Sequence, residues 1–131
     1  MRKNLTADVL KTVEEVSAFS EKFMQFVAVN DMKTAFENAK PYVPISQTEI
    51  DATYLQLKSN RDMVLERFGK TIGYEFISIK KLGTSLIRLQ YIEKTPKTLL
   101  PWTFVFYNPG NGWFLNSVFC DSSTQNLFKD N

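Results

Sequence analysis

The chain has 131 residues, 44% hydrophobic and 23% charged, with a net charge of +2, one cysteine and no histidine. That length fits one domain, 1–131, with a real core, and the interspersed charges lack the basic stripe a phosphate backbone requires, so nucleic acid is not expected as a partner. The single cysteine excludes an internal disulfide and a cysteine-based zinc site, and the missing histidine excludes His–Asp catalysis, a Ser-His-Asp triad and histidine metal ligation. No cofactor is expected.

Residues 1–5 read as a frayed start. Met1-Arg2-Lys3 has the charge of a signal-peptide start, but no apolar run follows it. The chain therefore reads as cytoplasmic, or as exported with its leader already removed. No segment is long and apolar enough to span a membrane. Thr6 can cap a first helix, with Asp8 in its first turn. Val9, Val13, Val16, Phe19, Phe23, Phe26 and Val27 recur at helical spacing to residue 29, while Glu14, Glu15, Glu21 and Lys22 take the other side. A short second helix over 32–39 follows, with Met32, Ala35, Phe36 and Ala39 on one face. Pro41 and Pro44 then force an extended connector.

Ser46-Gln47-Thr48-Glu49 is a capping box, and it opens a third helix that runs to about residue 68, where Gly69 can close it. Its stripe is Ile50, Tyr54, Leu57, Arg61, Val64, Leu65 and Phe68, interrupted by Tyr54 and Arg61.

The rest reads as a meander. YEFISIKKL (74–82) puts Tyr74 and Phe76 on one alternation set, and Ile77 and Ile79 on the other. Gly83-Thr84 supplies a hairpin turn. In SLIRLQYIEK (85–94), Ile87, Leu89 and Tyr91 share one face, while Leu86, Arg88, Gln90 and Ile92 share the other. The segment 94–98 is a loop around Pro96. PWTFVFY (101–107) aligns Trp102, Phe104 and Phe106, and Asn108-Pro109-Gly110-Asn111-Gly112 is a turn. WFLNSVFC (113–120) places Trp113, Leu115 and Phe119 on one face, and Phe114, Val118 and Cys120 on the other. The tail is polar apart from Leu127 and Phe128, which can pack back. The expected fold is α+β, three helices covering one face of a four-stranded antiparallel sheet. The opposite face is apolar enough to need cover from another chain, a ligand or the tail.

The segments FGKTIGYEFISIKKLG (68–83), SLIRLQYIEK (85–94) and WTFVFYNPGNGWFLNSVF (102–119) resemble a bacterial branch of the nuclear transport factor two-like, cystatin-like α+β superfamily. The resemblance covers the second half of the chain by sequence and the first half by helix order. It implies a curved, cone-shaped sheet, a cavity between helices and sheet, and a homodimer formed through the sheet. The superfamily includes ketosteroid isomerase, scytalone dehydratase and many non-catalytic binding or accessory domains, so fold alone does not choose a function.

The leading expectation is a non-catalytic domain that binds a small apolar or carboxylate ligand. Its candidate ligand residues are Tyr54, Arg61, Arg88, Tyr91, Trp102, Phe104 and Asn116. Arg61 and Arg88 read as anion anchors or as charges with packed stems. Trp102 and Phe104 read as pocket walls or as core. A cofactor-free isomerase would need a carboxylate base beside a tyrosine donor in the cavity. Tyr54 and Tyr91 are the donors available for it, and Asp62, Glu66 and Asp121 the carboxylates. A structural interaction module with a filled cavity is the third reading. Cys120 reads as an inert buried thiol, and Lys80-Lys81 as a charge pair protecting a sheet edge.

Overall fold

A computed structural model describes residues 8–120 and 124–128. Thr6 and Asp121 lie outside the described residues. Three helices precede a four-stranded antiparallel sheet of order β1-β2-β3-β4, so the α+β expectation holds.

The first helix, α1 (Val13–Ala28), begins later than its apolar spacing suggested. Thr12 rather than Thr6 caps it: the Thr12 hydroxyl accepts from the Glu15 amide at 3.0 Å, and the Glu15 carboxylate accepts from the Lys11 amide at 2.8 Å. Val9 and Leu10 are therefore outside the helix. Leu10 instead exchanges backbone hydrogen bonds with Trp113, at 2.7 and 2.9 Å. The next helix, α2 (Met32–Ala39), is capped by Asp31, whose side chain accepts from the Thr34 amide. The connector is tighter than two prolines suggested, because Lys40–Tyr42 forms a 3₁₀ turn with Pro41 near its start. The third helix, α3 (Gln47–Phe68), starts at the expected capping box, with Ser46 and Glu49 satisfying each other's backbone N–H groups.

The strands are β1 (Gly73–Leu82), β2 (Leu86–Lys94), β3 (Leu99–Tyr107) and β4 (Phe114–Cys120). Two bulges change the faces read by simple alternation. Ile77 is an extra residue between the pairs Phe76–Tyr91 and Ser78–Gln90, so Ile79 joins the face of Tyr74 and Phe76. Asn116 is an extra residue between Leu115 and Ser117, so Val118 and Cys120 join the face of Leu115, and Phe119 turns outward. Pro101 lies one residue beyond the Trp102–Cys120 pair that ends the β3–β4 ladder, where its missing N–H removes no bond to β4.

The core lies between α1, α2 and the inner face of β2 and β3. Ile87, Leu89, Tyr91, Trp102, Phe104 and Phe106 are all buried there. Phe23 of α1 is its hub, meeting Phe36, Trp102 and Phe104 edge-on at centroid distances of 5.4, 5.9 and 5.1 Å. Such aromatic pairs add about 0.5–1.5 kcal/mol each beyond their buried area. On the outer face Gln90 and Thr103 are buried, while Leu82, Leu86, Tyr107 and Phe119 stay exposed. The tail forms a short helix, α4 (Gln125–Phe128). Leu127 is buried, but Phe128 is 80% exposed and does not pack back.

Candidate functional site

Arg61 is the first candidate the fold explains. It occupies an apolar-stripe position of α3 and is 1% exposed. Facing it, Glu93 is fully buried on the inner face of β2, in the same alternation as Ile87, Leu89 and Tyr91. The Arg61 Nε donates to both Glu93 oxygens at 3.0 Å, and its Nη2 donates to Oε2 at 2.8 Å. Nη2 also donates to the Val27 carbonyl at 2.9 Å, and Nη1 to Asn30 Oδ1 at 2.8 Å. Trp102 Nε1 donates to Glu93 Oε1 at 3.0 Å, and the Thr71 hydroxyl donates to Oε2. A buried charge pair is tolerated only when its remaining hydrogen-bonding groups are satisfied, which is the case here. The network joins the end of α1, the middle of α3, the approach to β1, and β2 and β3. The Nε and Nη2 edge of the guanidinium is committed to Glu93 and its charge is neutralised there, so Arg61 does not serve as an anion anchor in this arrangement.

Tyr91 leads to a second constellation. Its hydroxyl donates to Glu21 Oε1 at 3.3 Å, and the Tyr74 hydroxyl donates to Glu21 Oε2. Burial, reinforced by the Glu21 charge, pushes the Tyr91 hydroxyl well above the usual tyrosine range. Burial and the hydrogen bond to Glu21 also raise Tyr74. Sequence spacing had placed Glu21 on the solvent side of α1, whereas the helix lies on the sheet so that Glu21 reaches both tyrosines. This carboxylate beside tyrosine donors has the residue types of a cofactor-free isomerase. Both of its oxygens are nevertheless occupied by protein hydroxyls, and it lines none of the three clefts described below.

A cleft of about 590 Å³ opens between the second half of α3 and the neighbouring ends of β3 and β4. The helix has 22 residues, so it is about 33 Å long, whereas the seven residues of β4 span roughly 23 Å. The N-terminal half of α3 borders β4 through Ile50 and Thr53, close to Leu115 and Val118. Its second half runs past Cys120, and the cleft is the space left under this overhang. Met63, Val64 and Phe68 form the helical wall, and Leu99, Leu100 and Cys120 form the sheet wall. Asn60, Arg67 and Thr98 are the polar groups at the cleft besides the neutralised Arg61. Cys120 is thus half-buried at a cleft wall rather than sealed in the core.

The other sequence candidates disperse. Tyr54 meets Phe36 edge-on at 5.3 Å and borders a shallow depression of about 460 Å³ with Asp51 and Lys40, where Lys40 pairs with both Glu37 and Asp51. Asn116 sits at the β4 bulge beside a small apolar pocket of about 180 Å³ formed by Phe36, Val43, Ile50 and Leu115. Trp102 and Phe104 are fully buried core. Arg88 lies on the outer face of β2, opposite Lys80 in the ladder. Asp62 pairs with Lys58 on the exposed side of α3, and Glu66 is exposed. Sequence reasoning missed Asn60, Met63, Arg67, Thr98 and Leu99. A usable signal was present, because Leu99-Leu100 continues the apolar run N-terminal to Pro101.

Comparison with protein-family models, with curated proteins and with solved structures gave no match. Among the described residues no group of three or more His, Cys, Asp or Glu side chains could hold a metal ion, and no helix is long and apolar enough to cross a membrane.

Proposed function

We propose that this is a non-catalytic binding domain of the nuclear transport factor two-like type, and that the cleft under the α3 overhang takes a small, largely apolar ligand. The cleft carries this reading. Its 590 Å³ falls within the range of small-molecule sites, and apolar walls with a few polar groups are their usual composition. The packed centre of the molecule supports the same choice. Phe23, Trp102 and Phe104 fill the space between helices and sheet, which leaves the open end of the core as the place for a ligand.

The test is fluorescence titration with the neutral apolar probe N-phenyl-1-naphthylamine. The wild-type protein is expected to bind it with a blue shift and saturation at one site. Val64→Trp, which fills the cleft from its helical wall, is expected to weaken binding at least tenfold while keeping the far-ultraviolet dichroism of the wild type. Equal binding by a folded Val64→Trp protein would overturn the reading.

A further inference from the structure

We propose that the ligand of this cleft is an amphipathic anion, an apolar body ending in one carboxylate-like charge, and that Arg67 receives the charged end. This rests on the cleft being the binding site. The described residues that line the cleft include two arginines and no carboxylate. Arg61 adds no net charge, because Glu93 neutralises it at 2.8 Å. Arg67 differs. It is exposed on the last turn of α3, and its guanidinium carbon lies 5.2 Å from the Phe68 ring centroid. Among the described residues it has no carboxylate within ion-pair distance.

One effect opposes this. Arg67 stands near the C-terminus of α3, where unpaired carbonyls present a partial charge of about −0.5. The Gly69 amide bonds the Leu65 carbonyl and blunts part of it, and Lys70 follows immediately. A full positive charge on Arg67 exceeds the remaining partial charge, so the mouth favours a single anion.

The spacing of the polar groups gives the ligand its shape. Asn60 and Arg67 are seven residues apart, so they lie about 10 Å apart along one helix face, with Met63 and Val64 between them. An extended apolar body of about that length fits between them. A guanidinium fork matches the two oxygens of a carboxylate, whereas a compact, multiply charged ion would lose its hydration against Leu99 and Leu100 without replacement.

The experiment displaces N-phenyl-1-naphthylamine with decanoate and with 1-decanol at pH 7.5. Decanoate is expected to bind about fivefold tighter than the alcohol, in keeping with a partly exposed charge pair. In Arg67→Gln the ratio should collapse to about one, in Arg67→Lys most of it should survive, and in Arg67→Glu it should invert. Equal affinity of both ligands for the wild-type protein, or a preference that persists in Arg67→Gln, would overturn the assignment and leave the apolar cleft standing. Failure of both ligands to displace the probe would remove the cleft reading and this inference with it.

Discussion

The Arg61–Glu93 pair gives the sharpest energetic prediction. Arg61→Met removes every bond the guanidinium makes to Glu93 and leaves the carboxylate fully buried, with only Trp102 Nε1 and the Thr71 hydroxyl as donors. Glu93→Met leaves the opposite defect, a guanidinium with only neutral acceptors. Removing one partner of a buried pair costs about 3–5 kcal/mol, a large part of the roughly 5–15 kcal/mol that stabilises a domain. For a chain of this size that lowers Tm by roughly 10–20 °C. The double variant Arg61→Met/Glu93→Met carries no buried charge, so it is expected to be no worse than either single variant. The coupling should then be about 2 kcal/mol or more. Urea unfolding followed by tryptophan fluorescence measures all four proteins, since Trp102 is buried within the network. Single variants that each cost less than about 1 kcal/mol and add independently would refute the reasoning.

Two further outcomes follow from other contacts. Absorbance titration at 295 nm should show that two of the five tyrosines, Tyr74 and Tyr91, ionise above the usual range. A hydroxyl raised in the folded state contributes stability that is complete below about pH 10 and is lost as pH rises through the folded value. Alkaline destabilisation should therefore be smaller in Tyr91→Phe, measured relative to its own stability at pH 8. Gly112→Ala should destabilise by ~2–4 kcal/mol, because the residue has φ +142° and an added Cβ would stand 2.6 Å from Val9. Faster hydrogen exchange at the Leu10 and Trp113 amides would show that residues 8–10 have come away, and unchanged exchange would contradict this.

Much of the fold was legible because it depends on local chemistry. The Ser46–Glu49 box and the turn glycines act over a few residues, and they appear where the sequence puts them. The start of α1 is not legible in the sequence, because Val9 continues the helical spacing while Leu10 is held by Trp113, more than a hundred positions away. Counting in twos cannot see a bulge, so Ile77 and Asn116 reversed the predicted faces of Ile79 and Phe119. Arg61 stood out in sequence as a charge in an apolar stripe, but its partner Glu93 is 32 residues away and read as an ordinary strand end. The cleft was illegible for another reason. It depends on how far α3 overhangs β4, which tertiary packing decides.

The most direct measurement of the central claim is methyl NMR of the protein during titration with N-phenyl-1-naphthylamine. Shifts are expected at Val64, Leu99 and Leu100, with Leu89 and Ile87 in the packed core unmoved. Shifts concentrated instead at Leu82 and Leu86 on the outer face, with Val64 and Leu99 silent, would contradict the account.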